Sequence, residues 1–253
     1  MCVLLCFSHA LFFAQEKIAQ QELQTIARAI WRNESGCDTK KLLWWNKGED
    51  FLSLGIGHFI WYPQMHVTHF KEIFPEFIAY MRKKKSKLPG KIQEQACPWS
   101  SREEFLRAQV DGATQELHDF IYSTISEQAD FMLIQLQKTL IDIQKHVNKK
   151  QKKIIQKKID SLMLIPAGRY ALLDYLNFKG SGLDKHEQYA GQGWGLLQVL
   201  IAMDSNVHDP VQAFSAAAQE RLRLRVANAP RERHEERWLK GWLNRIATYK
   251  NFM

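Results

Sequence analysis

With 253 residues, 45% of them apolar and 11% aromatic, the chain is long and apolar enough to bury a core, which excludes a disordered protein. Its 35 basic and 27 acidic residues leave a net charge of +8, suited to an anionic partner, whether nucleic acid, anionic lipid or an anionic cell-wall polymer. Beyond the first residues no run approaches the roughly 18 apolar residues of a membrane-spanning helix, so no stable membrane insertion is expected of the mature chain.

The start, MCVLLCFSHALFFAQ, has two apolar runs, Val3 to Leu5 and Ala10 to Ala14, and no charge before Glu16. It reads as the apolar part of a secretory signal cut near Ala14, although the positive residues that open such signals are missing; the alternative is a buried N-terminal helix. Cys6 follows Leu4-Leu5 as in a lipid-attachment box, which the leucine directly before the cysteine fits poorly. A periplasmic or secreted location is the expectation. Cleavage would leave Cys37 and Cys97, able to pair in an oxidising compartment or to stay as small buried thiols.

From Glu16 to Asn33, Leu23, Ile26, Ala27 and Ile30 recur at helical spacing, and Gly36 is a natural stop. Residues 42 to 62, rich in glycine and aromatics, suggest a loop and short strands. Pro63 and Pro75 punctuate the next stretch of chain, and residues 82 to 100 read as an exposed basic loop. Ser101 to Glu104 form a capping box for one helix carrying Phe105, Leu106, Val110, Leu117 and Ile121. Residues 127 to 164 keep helical spacing through Val147, Ile154, Ile155 and Ile159. Their lysine-rich KKQKKIIQKKI is a solvated face or, alternatively, a polyanion-binding one. Pro166 opens a further helix, LLQVLIAM a buried one, and Asp209-Pro210 caps a helix reaching about Asn228. The last helix sets Trp238, Leu239, Trp242, Leu243 and Ile246 on one side. The fold class is mainly α, an α+β chain with one small β element near residues 50 to 62.

Glu34 interrupts this regularity. Four residues past Ile30 the apolar stripe lands on an acid, in NESGCD, at the core-facing side of the helix end. The negative end of the helix dipole and Trp31 are poor company for a carboxylate, and the place suits a proton donor of the kind glycoside cleavage needs. A solvated acid at a helix end is the plainer reading.

Three stretches carry a resemblance. NESG behind its helix resembles the R-E-S segment of goose-type lysozymes and the E-S of soluble lytic transglycosylases. LSLGIGH, residues 52 to 58, resembles the T-I-G-I-G-H hairpin of phage-type lysozymes, and GQGWGLLQV, residues 191 to 199, resembles the goose-type G-x-G-F-G-L-M-Q-V. Together they cover about 30 residues, in the order found in the lysozyme-like superfamily. The resemblance implies a helical lobe facing a small β-hairpin across a cleft, in a single domain from residue 15 to 253. A helical insertion would run from about 65 to 165.

It implies cleavage of a β-1,4-linked aminosugar polymer such as peptidoglycan, without a cofactor or metal. Glu34 would be the general acid, Ser53 the hairpin hydroxyl that holds water or substrate, and Gln198 a residue lining the cleft. His58 would buttress the hairpin. Goose-type lysozymes place an aspartate after Q-V, where this chain has Leu200, so the second carboxylate is open. Glu49 and Asp50 are the candidates to hold a water, the alternative being solvated turn acids. Without them a single-acid route is implied, as in lytic transglycosylases. Asn177, Lys179, Tyr189 and Trp194 offer amide, amine, phenol and indole groups to a sugar, although Trp194 suits a core as well. His66, His69 and Glu72 are loosely spaced like metal ligands without a further ligand beside them. A glycan-binding scaffold without turnover and a basic helical nucleic-acid-binding protein are the rival readings; the second lacks any nucleic-acid motif.

Overall fold

The computed structural model describes residues 20–64, 70–92 and 96–252, so the signal-like start and the pair His66 and His69 lie outside it. Helix α1 (Gln20–Ser35) buries Leu23, Ile26, Ala27, Ile30 and Trp31, the stripe the spacing predicts, and closes where the Gly36 amide donates to Arg32 O at 2.9 Å. Strands β1 (Leu43–Trp44), β2 (Leu52–Leu54) and β3 (Phe59–Trp61) follow as an antiparallel sheet in the order β1-β2-β3. Its register sets Ser53 between Trp44 and Ile60, and β2 is buried on both faces.

The rest is helical: α2 (Phe74–Lys83), α3 (Arg102–Val110), α4 (Gln115–Ser123), α5 (Ile125–Lys145), α6 (Lys149–Met163), α7 (Pro166–Lys179), α8 (Leu196–Ala202), α9 (Pro210–Asn228) and α10 (Glu236–Ala247). A second hairpin, β4 (Gln188–Tyr189) with β5 (Gln192–Gly193), interrupts between α7 and α8. A continuous apolar core runs from Leu23 to Tyr249. In it α5 packs on α1, α7 on α6, and α9 on α10. Among the described residues no helix is long and apolar enough to cross a membrane.

Several local expectations shift. The single helix of residues 101 to 121 is two, because Gly112 turns through φ +73° and separates α3 from α4. Ser101 Oγ does accept from the Glu104 amide at 3.2 Å, but the Glu104 carboxylate turns to Ser100 N and Oγ, so only half of the box forms there. A full capping box stands instead at Asn148 and Gln151, where the α5–α6 corner falls. Residues 82 to 100 are not simply an exposed loop, since Ile92, Cys97 and Trp99 enter the core. Asp209 caps α9 as its sequence suggests, accepting from the Val211 and Gln212 amides. On α10 only Ile246 is fully buried, and Trp238 is 41% exposed. Cys37 and Cys97 are separate thiols, and burial pushes the Cys97 thiol up to about 12.

Candidate active site at the end of helix α1

Glu34 stands in the last turn of α1, where four elements meet. Its Oε1 accepts from Asn177 Nδ2 of α7 at 2.9 Å and from Arg245 Nη2 of α10 at 2.5 Å. Its Oε2 faces His58 Nδ1, 3.7 Å away, on the turn joining β2 to β3. The Glu34 side chain keeps 14% of its surface and His58 keeps 33%, so solvent reaches this corner.

The turn is held from behind. Gly55 takes φ +73°, and a Cβ there would sit 2.2 Å from Gln128 Oε1. That oxygen accepts from the Ile56 amide at 2.9 Å, while Gln128 Nε2 donates to Ile121 O at 2.6 Å. A Cβ on Gly57 would lie 2.6 Å from the Phe59 ring and 3.1 Å from Asn177 Oδ1. The GIGH sequence thus lets the turn press against α5 and α7, which brings His58 to Glu34.

Behind Glu34 lies a buried polar network. Arg245 donates from Nε and Nη2 to the two oxygens of Asp174, both at 2.9 Å. Asp174 has no exposed surface and also accepts from Tyr249 OH at 2.7 Å and Asn33 Nδ2 at 3.2 Å. Asn33 Nδ2 reaches Tyr170 OH at 2.6 Å, and Tyr170 OH shares a bond with Thr248 at 3.0 Å. Burial and Asp174 together push the Tyr170 hydroxyl up to about 12 and the Tyr249 hydroxyl well above its ordinary value. Burial works against the charge of Arg245, but Asp174 and Glu34 outweigh it and hold the guanidinium more firmly protonated. The carboxylate that looked unsupported on the apolar stripe therefore has a counter-charge, brought 211 residues along the chain.

Lys179, the last residue of α7, is 9% exposed, with Nζ 3.5 Å from the Trp242 ring centroid and 3.9 Å from that of Phe178. Burial, then Arg225 and Arg245, push its amine down to about 6, against the pull of Glu235 and Glu34. The indole face favours an ammonium by only about 1–2 kcal/mol, less than burial beside two guanidinium groups removes.

A second cluster gathers the aromatic candidates. Tyr189 OH donates to Glu235 Oε1 at 2.9 Å, and Arg225 binds the same carboxylate from Nε and Nη2 at 2.7 and 2.8 Å. Arg225 also lies 4.1 Å from the Trp194 ring and 4.9 Å from Trp242. Burial alone would raise Glu235, yet Arg225 wins and lowers it. The Trp194 ring is buried with one face covered, so here it fastens the β4–β5 hairpin to α9. Gln198 donates to Gly182 O at 3.0 Å and packs on Gly193, while its Oε1 is buried without a hydrogen-bond partner among the described residues.

No protein-family model, curated protein or solved structure matches the chain. The chemistry has to be read from the geometry. Of the residues singled out in the sequence, the fold brings Glu34, His58 and Asn177 into one constellation and sets Lys179 within electrostatic reach. Glu49 lies in the β1–β2 turn, its Oε1 accepting from Asn46 at 3.3 Å and its carbonyl from the Trp45 indole. That turn and Asp50 are at the opposite end of β2 from His58, across three strand residues that rise about 3.3 Å each, or about 10 Å. Ser53 is buried in mid-strand, and no hydrogen bond among the described residues ties it to Glu34. Glu72 accepts from the Tyr62 amide at 2.7 Å, and the described residues hold no cluster of three or more metal-ligating side chains.

The sequence reading missed Arg245, Asp174 and Asn33. The signal that exposed Glu34 was present for two of them. Asp174 interrupts the apolar run ALLDYL, and Arg245 falls seven and three residues after Trp238 and Trp242 on one helix face.

Proposed function

We propose that the protein cleaves β-1,4 glycosidic bonds in an aminosugar polymer of the peptidoglycan type, with Glu34 as the acid and a lysozyme-like arrangement of helix end and hairpin turn. One observation carries this reading. Asn177 and Arg245 occupy Oε1 of Glu34, and Oε2 is left facing the solvent-reached turn at His58. Oε2 is then the oxygen that delivers a proton to the leaving glycosidic oxygen. Arg245 is held by two bonds to Asp174 and one to Glu34, so it stays in place while Glu34 gains and loses its proton. His58 and Asn177 orient the carboxyl.

Glu49 and Asp50 lie across β2 from the turn that bears His58, and Asp174, the carboxylate that shares Arg245 with Glu34, has no exposed surface to offer a substrate. The geometry favours the single-acid route. A hydroxyl of the substrate attacks its own anomeric carbon, the bond to the leaving oxygen breaks, and Glu34 supplies that oxygen's proton and then accepts the one from the attacking hydroxyl. The product ends in an anhydro sugar. Digesting purified peptidoglycan and weighing the muropeptides tests this. Anhydro ends, lighter than reducing ends by one water, are expected, and Glu34→Gln should lower the rate at least about 100-fold. Reducing ends would move the reading to hydrolysis, and no products from the natural chain would sink it.

A second reading is favoured by the Asp174 network, which makes Glu34 part of the tie between α1, α7 and α10. In that case the protein binds glycan without cutting it. Sedimentation with insoluble peptidoglycan that leaves the muropeptides intact identifies that outcome.

A further inference from the structure

Positive charge is concentrated in two stretches of the chain, Arg82 to Lys91 and Lys138 to Lys158. Between Lys138 and Lys158 the sequence has eight lysines and a single acid, Asp142, a net +7 where the whole chain carries +8. Arg82 to Lys91 adds six basic residues without an acid, so outside the two stretches acids outnumber bases. Six lysines of the second stretch, Lys145, Lys149, Lys150, Lys152, Lys153 and Lys157, are exposed around the corner at which α5 turns into α6. Lys145 pairs with Asp142 at 2.8 Å, and no ion pair among the described residues engages the other five. Lys158 is different: buried, it donates to the carbonyls of Leu200 and Ile201 at the end of α8, at 2.9 and 3.3 Å.

A solvated helix face would explain lysines alone. It does not explain the apolar residues among them. Ile154 is 42% exposed with Lys150, Lys153 and Lys157 at helical spacing around it, and Ile141 on α5 is 36% exposed. The segment has neither arginine nor an aromatic residue, the groups that clasp phosphates in a fork and stack on bases, so nucleic acid is the poorer fit. Flexible lysine stems that keep their charge in the headgroup layer, with an isoleucine between them, fit the boundary of an anionic bilayer.

We propose that the α5–α6 corner docks the protein on an anionic lipid surface. The placement has a consequence for the molecule. Gln128, which clasps the hairpin turn beside Glu34, and Lys145 are on the same helix, 17 residues apart, or about 25 Å at 1.5 Å per residue. The docking surface and the Glu34 constellation are thus separate places on the molecule, joined by α5. The docking surface does not depend on Glu34 being catalytic.

Co-sedimentation with vesicles of phosphatidylcholine, with and without phosphatidylglycerol, tests it. The full chain should bind only the phosphatidylglycerol vesicles, and high salt should release it. Replacing Lys149, Lys150, Lys152, Lys153 and Lys157 together by glutamine, with retention of fold checked by circular dichroism, should weaken binding at least about tenfold. Ile154→Gln, which leaves the charge alone, should weaken vesicle binding several-fold and leave binding to a short DNA duplex unchanged. Binding through the apolar first residues would be indifferent to lipid charge and to these substitutions, and would overturn the proposal. Equal binding to duplex at the same salt, with Ile154→Gln without effect on vesicles, would overturn it in favour of generic polyanion contact.

Discussion

Asp174 accepts four hydrogen bonds in a place with no exposed surface, and two of them fix Arg245. Removing one partner of such a buried pair leaves the other charge without compensation, at a cost of about 3–5 kcal/mol. Asp174→Ala is therefore expected to lower unfolding free energy by that amount in urea titration, and more than Glu34→Gln, which leaves the Arg245–Asp174 pair intact. Lys179 gives the opposite sign. Its folded value near 6 lies below the ordinary 10.5, so between those values the unfolded chain binds a proton that the folded chain does not. Its contribution makes stability rise with pH in that window, by up to about 1.4 kcal/mol per pH unit, and is flat below it. Lys179→Met, which keeps the packing on Trp242, should be more stable than the natural chain at neutral pH, with the gap narrowing toward pH 10. A gap that does not change with pH would assign the effect to packing.

At the scale of elements, the β2–β3 turn depends on Gln128 of α5. Gln128→Ala removes the acceptor of the Ile56 amide and the donor to Ile121 O, both buried, at a cost of about 1–3 kcal/mol for each group left unsatisfied. It should also loosen the turn, so that amide exchange at Ile56 to His58 speeds up before the helices lose protection. Why some of this was legible depends on where each signal sits. The α1 stripe, the Asp209 cap and the glycines of GIGH are local, and each states its conformation within a few residues. Glu34 was legible for the same reason, as an acid on an apolar stripe. Its partner was not. Arg245 lies 211 residues away, and nothing in the spacing of either helix says they meet. For the second carboxylate the sequence offers only nearness along the chain: Glu49 and Asp50 are close to Ser53, and β2 lies between their turn and the one that bears His58. Tyr189 reads as a sugar contact and Trp194 as either a sugar contact or a core ring; the fold buries Trp194 under Arg225 and bonds Tyr189 to Glu235.

Across the whole molecule, the Glu34 corner joins two bodies of structure: the sheet with α1 and α5 on one side, and α7, α9 and α10 on the other. The join is closed by the last described turn. Tyr249 is fully buried, its ring 5.4 Å from Tyr170 and 6.2 Å from Phe214, and Phe252 stacks on Tyr170 at 4.6 Å. Truncating the chain after Ala247 removes both rings, the Tyr249 bond to Asp174 and the Thr248 hydroxyl. Loss of one buried aromatic ring already costs about 3–5 kcal/mol, so the truncation should remove at least that much stability. The loss should also be uneven. The last turn, which packs on α7 and α9, would be gone, leaving α10 supported by α9 and Arg245 less firmly held against Glu34, whereas the β2–β3 turn keeps Gln128 of α5. Hydrogen exchange is therefore expected to show faster opening in α7, α9 and α10 than in α4 and α5, with glycan cleavage lost alongside. Uniform loss of protection would mean that the corner is not a joint, and that Arg245 holds Glu34 only as part of a single cooperative core.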